Sequence, residues 1–162
     1  MSVLDTSRIL DRGLNCAIMH ITSRLFPCGF DVSEHAPSTY DGLVSMIEER
    51  GRMVVWNGAS DTSIYGDVEV NYAFRAWHDW CHWRGKHDFS EEGERASYVM
   101  QCQHLTGLYG DSPMVRRWHY ILHAEIIGQV AYSNIHGDFP RNQLEFVKHW
   151  LVSPVYAINT RH

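Results

Sequence analysis

Apolar residues recur three and four positions apart in about six stretches of this 162-residue chain, separated by glycine, proline or short polar side chains. That period belongs to helices with one buried face, and it predicts an all-α bundle of about six helices. The first stretch, 6–26, aligns Leu10, Leu14, Ala17, Ile21 and Leu25 and stops at Pro27 and Gly29. In the second, Ser38 or Thr39 caps a helix whose face continues through Leu43, Met46, Ile47, Met53 and Val54. Residues 57–67 are rich in Asn, Gly, Ser and Asp and read as a loop, placed to act as a lid over the helix that follows. The third helix, about 67–85, turns Val70, Phe74, Trp77 and Cys81 inward and breaks near Gly85. The fourth begins at Ser90 with acids in its first turn and stops at 107–110. Ser112 and Pro113 open the fifth, which runs to about 134, and a sixth lies between Pro140 and Pro154. Only 53–56 and 155–158 resemble strands, and each is short enough to be a helix end or a tail.

A chain of this length with 44% hydrophobic residues supports one core, so a single helical domain is expected over 1–162. The net charge of -5 and the scattering of the 14 Lys and Arg argue against direct binding of nucleic acid. Aspartates and arginines interrupt MSVLDTSRILDRGLNC before any apolar run develops, which does not read as a secretory signal, and no stretch reaches membrane-spanning length. The expectation is a cytoplasmic protein away from membranes. Cys16, Cys28, Cys81 and Cys102 form no CxxC pair, so they read as free thiols.

The 11 histidines are roughly three times an average share, which points toward metal or proton chemistry. His78 and His82 stand four apart on the third helix beside Asn71 and Arg75, so one face presents two imidazoles to a single ion. On the fourth helix Glu94 is in line with Tyr98, Gln101 and Leu105, and its carboxylate faces inward, where it needs a partner. On the fifth helix His119 falls within the Val115, Leu122, Ile126 and Val130 face. His123 lies on one edge of that face, and Glu125 and Gln129 lie on the other. About 200° of rotation separates His123 from Glu125, so one flank or the other completes a site, not both. The candidate ligands are His78, His82, Glu94 and His123, with Glu94 or Glu125 as general base and Arg75 as an anchor for an anionic group. Imidazole and carboxylate donors suit a divalent transition metal, Zn, Fe or Mn.

"HD" at 78–79, in an all-α chain of this length, resembles the dyad of HD-domain phosphohydrolases, and the resemblance implies an upstream histidine and a distal aspartate, for which His35 and Asp138 are candidates. HAE at 123–125 is similar to the zinc-binding tripeptide of cytidine deaminases, but no cysteine follows Cys102 to supply their paired thiolates. The HxxxH spacing with a later glutamate also resembles helical non-haem di-iron proteins, although this chain has no ExxH step. Across about 53–140, the segments VVWNGASDTSIYGD, NYAFRAWHDWCH, FSEEGE and HAEIIGQVAYSNIHGDFP resemble small uncharacterised bacteriophage proteins, which would imply action in a bacterial cytoplasm.

Two function classes follow. The first is a metal-dependent enzyme, a hydrolase acting on a small phosphate-bearing substrate such as a nucleotide, with a non-haem iron oxidase as a variant of the same donor set. The second is a non-catalytic helical protein that binds a host partner. Six tryptophans and eight tyrosines supply interface anchors, and Trp77, Trp80 and Trp83 fan out from the core stripe toward a neighbouring helix or a second copy of the chain.

Overall fold

The computed structural model describes residues 6–162; residues 1–5, part of the stretch read against a secretory signal, lie outside the described residues. The fold is all-α. After a short 3-10 turn, Thr6–Arg8, the α-helices are α1 Arg12–Leu25, α2 Tyr40–Arg50, α3 Val68–Gly85, α4 Glu91–Tyr109, α5 Pro113–His123, α6 Gln129–His136, α7 Gln143–Val152 and α8 Pro154–Asn159. A π-helical turn, Ala124–Gly128, joins α5 to α6, so the fifth predicted helix is one rod with a widened turn in its middle. The predicted caps operate: Ser90, Ser112 and Thr39 each accept a hydrogen bond from a backbone N–H in the first turn of the helix they precede. Asp11 does the same for α1 and also accepts from Trp118 Nε1, tying α1 to α5.

α3 is the central helix, packed against α1, α2 and α4. Val70, Ala73, Phe74, Trp77 and Cys81 face the main core, where they join Leu14, Ile18, Ile21 and Leu105. Ala76 turns the other way into a smaller cluster with Leu43, Met53 and Val55, against which Trp80 and Trp83 pack. The tryptophan fan is thus received within the chain. On the far side the π turn packs against α4 and α7, and Trp150, Phe146 and Tyr132 extend the main core there.

Two readings at the level of local structure are corrected. Met53 and Val54 do not extend α2. Gly51, in the left-handed region at φ 64°, ends that helix, and 54–56 form strand β2, Val54–Trp56, paired in parallel with β1, Asp31–Ser33. Residues 155–158 lie in α8, which Ser153 caps with Pro154 at its first position. The loop 57–67 is fastened to α3: Arg75 donates to the carbonyls of Trp56 and Ala59, Asn71 Nδ2 to Ser60 Oγ, and Tyr72 OH to Asn57 O.

One glycine fixes how α4 meets α3. A Cβ on Gly93 would lie 1.8 Å from the Asp88 carbonyl oxygen, so the turn between the helices closes only where no side chain stands. Gly107, farther along α4, has open space around the same position. Gly93→Ala is expected to destabilise the protein by about 1–3 kcal/mol through overpacking. Gly107→Ala is expected to stabilise it by about 0.5–1 kcal/mol. Urea unfolding of the two variants beside the parent measures both, and equal effects of the same sign would contradict the reading.

Candidate metal centre on the α3 and α4 helices

His78 and His82 project from one side of α3, one turn apart, because residues four apart in a helix stack. Glu94 enters from the first turn of α4, set there by the Gly93 turn and the Ser90 cap. His78 Nε2 lies 2.9 Å from Glu94 Oε2, His82 Nε2 lies 3.3 Å from the same oxygen, and the two Nε2 atoms are 3.0 Å apart. Ligands held 2.0–2.1 Å from a tetrahedral ion are about 3.3 Å apart, so these three atoms already stand at the spacing of a coordination edge. Among the described residues, His78, His82 and Glu94 form the group of three His, Cys, Asp or Glu side chains that could hold a metal ion.

The far nitrogen of each ring shows what the near one offers. His82 Nδ1 donates to the backbone carbonyl of His87 at 2.9 Å, an oxygen that can only accept. His78 Nδ1 donates to Gln101 Oε1 at 2.8 Å. With Nδ1 protonated in both rings, the neutral imidazoles turn Nε2 lone pairs toward a carboxylate. Three acceptors cannot sit this close without a cation among them, either a proton or a metal ion. The protein's own charges respond to that demand. Burial disfavours a charge on His78, but the hydrogen bond and charge of Glu94 outweigh it and raise the His78 pKa. Burial likewise opposes the Glu94 charge, yet hydrogen bonds from His78 and His82 hold its pKa at about 2. His82 is fully buried, and His78 stacks on Phe74 with ring centroids 6.0 Å apart.

The remaining candidates divide. Glu125, on the π turn, faces the α3 side: it feels the charges of Arg75 and neighbours Tyr65, accepts from Gln129 at 3.1 Å, and burial pushes its pKa up to about 7. It does not reach the three converging atoms. His123 is corrected as a ligand. It packs between Tyr98 and Trp150, 5.4 and 5.6 Å between centroids, because the rotation that brings Glu125 toward α3 carries His123 to the α7 side. Arg75 is corrected as a free anchor: its guanidinium donates to the carbonyls of Trp56, at the end of β2, and Ala59, in the loop, and lies over the Trp56 ring, 5.4 Å from its centroid. His119 meets Thr106 Oγ1 at 3.2 Å, His35 is exposed and paired with Glu34, and Asp138 is exposed.

Two further residues bear on the centre: Gln101, which was not anticipated, and Asp79, the aspartate of the HD pair. Gln101 orients His78, and its position seven residues after Glu94 on the same helix face was a readable signal. Asp79, next to His78, is surrounded by the charges of His78, His82, Glu94 and Arg75. Burial raises its pKa to about 6, and no hydrogen bond among the described residues engages its carboxylate. Access to Glu94 comes through a cleft of about 90 Å³ lined by Glu91, Glu94, Arg95, Ile127, Val130, Ala131 and Asn134.

In chelator-treated protein the pair of His78 and Glu94 sets a stability window. Glu94, with its pKa depressed, stabilises the fold fully above its ordinary value of 4.5 and loses that contribution as pH falls toward about 2. His78, with its pKa raised, contributes fully below its ordinary 6.5 and loses the contribution as pH rises through its higher folded value. Both limbs report one interaction, so it is at full strength between about pH 4.5 and 6.5. Glu94→Gln is expected to remove both limbs, as read by denaturant unfolding across pH; a variant profile parallel to the parent's would contradict the assignment.

Compared with protein-family models, curated proteins and solved structures, the chain matches none. The site's chemistry is therefore read from its geometry.

Proposed function

We propose that the protein is a metal-dependent enzyme, a hydrolase acting on a small phosphate-bearing substrate such as a nucleotide, with a divalent transition ion held by His78 Nε2, His82 Nε2 and Glu94 Oε2. The observation that carries the reading is the convergence of three acceptor atoms within 3.3 Å of one another, each ring backed by a carbonyl acceptor on its other nitrogen. Rings fixed in this way are the usual outer support of metal-binding histidines.

Two histidines and one carboxylate leave coordination open for water, whose pKa a bound ion of this kind lowers toward neutrality. The chain's own groups then have defined tasks. Glu94 supplies the negative charge of the ligand set, and Gln101 and the His87 carbonyl keep both rings turned inward. Asp79, which neighbours His78 in the chain and feels the charges of His78, His82 and Glu94, is the group that accepts a proton. With Arg75 committed to the loop, the cation available to a phosphate group is Arg95, exposed on the rim of the cleft that opens on Glu94. Asn134, in the same cleft, is held by Glu91.

At this centre untagged protein is expected to carry close to one equivalent of Zn, Fe or Mn by elemental analysis, and His82→Ala or Glu94→Gln to lower the metal content by that equivalent. Added ion at 100 times its dissociation constant for this centre should stabilise the parent by about 2.7 kcal/mol more than it stabilises those variants. Binding should weaken as acid protonates the imidazoles, since protons and metal compete for the same lone pairs. Asp79→Asn should retain the ion and lower hydrolysis of a nucleotide or a phosphate ester by about 10²–10⁴-fold. A parent protein holding only trace metal, with His82→Ala indistinguishable from it, would sink the reading. Oxygen uptake in place of hydrolysis would transfer the site to oxidative chemistry.

A further inference from the structure

A second concentration of imidazoles lies on different elements, where α6, α7, α8 and the last residues meet. Residues 160–162 fold back over α7: the His162 N–H donates to Tyr132 OH at 3.0 Å, and its carbonyl accepts from the Arg141 N–H at 2.9 Å. This brings the His162 ring onto Phe146 and Tyr132 and to within 4.8 Å of His149, centroid to centroid. The other face of the His149 environment is Tyr156, 5.1 Å away. His136 sits nearby but is committed, its Nε2 donating to the Ile158 carbonyl at 2.8 Å.

In each ring of the pair, one nitrogen is buried and has no hydrogen-bond partner. Glu145 Oε2 lies 4.0 Å from His149 Nε2, which leaves His149 Nδ1 buried without a hydrogen-bond partner. His162 Nε2 is likewise buried without a partner. Buried polar atoms are ordinarily satisfied, so two unsatisfied imidazole nitrogens on adjacent rings call for a shared explanation. Two imidazoles whose centroids are 4.8 Å apart, each with a buried nitrogen left without a partner, can satisfy both nitrogens by sharing one cation. Imidazole nitrogen suits zinc, copper and nickel.

We propose that His149 Nδ1 and His162 Nε2 form a second cation site, separate from the α3 and α4 centre, that takes a divalent transition ion such as Zn2+ and fastens residues 160–162 to α7. Glu145 acts from behind His149, and water completes the ion's coordination. The site is independent of the first: it shares no residue with it and stands whether or not the protein is a hydrolase.

Native mass spectrometry of untagged, full-length protein titrated with Zn2+ tests this. The parent is expected to hold two ions, Glu94→Gln one, and the double variant His149→Gln, His162→Gln one. A parent with a single ion that Glu94→Gln retains and the double variant loses would uphold this site while removing the first. A double variant with the parent's full complement, or a parent whose only ion disappears in Glu94→Gln, would overturn it. Because the double variant can perturb folding, the imidazole 15N resonances of the parent give a second reading. His149 Nδ1 and His162 Nε2 should shift on Zn2+ addition, and unshifted resonances would overturn the proposal.

Discussion

The mutual repulsion of three hydrogen-bond acceptors governs the centre of this molecule. His78, His82 and Glu94 bring their lone pairs within 3.3 Å of one another, and nothing in the surrounding protein relieves that except a positive charge among them. Holding such a cluster together requires that the two helices bearing it cannot part. α3 is gripped on both faces, by the main core through Trp77 and Cys81 and by the smaller cluster through Ala76. α4 is pinned at its first turn by a glycine that touches the preceding carbonyl. The electrostatic demand at the site is thereby supported by apolar packing elsewhere, the usual division of labour between a strained polar centre and its scaffold.

Most of the helical architecture was legible because it is local. Capping side chains act on their own helix, so Ser90, Ser112 and Thr39 could be recognised without tertiary information. The parallel pair of Asp31–Ser33 with Val54–Trp56 was not legible, since its hydrogen bonds join segments separated by all of α2. Helical phase placed Met53 and Val54 correctly as buried residues but assigned them the wrong backbone, because a buried strand and a helix end look alike over a few positions.

The site was legible to the extent that it obeys single-helix geometry. Spacing of four identified His78 and His82, and phase turned Glu94 inward, as the structure has it. What lies between helices was beyond reach. Whether His123 or Glu125 faced α3 depended on the rotation of α5 about its axis, which packing against α7 decides. Arg75 looked available from sequence because nothing in the pattern shows that the 57–67 loop returns to offer it carbonyl oxygens. The His87 carbonyl, which fixes the His82 tautomer, has no side-chain signature at all.

The π turn at Ala124–Gly128 acts within the α5 to α6 rod as a phase adjuster. An α-helix advances its side chains by a fixed angle per residue, so a continuous rod would tie the direction of every residue after 123 to those before it. One widened turn breaks that coupling. Trp118, Ile121 and Leu122 can keep their places in the core while Glu125 and Gln129 take a direction that an unbroken helix would deny them. The two halves of the rod can therefore be selected separately, one for packing and the other for what it turns toward Arg75 and Tyr65.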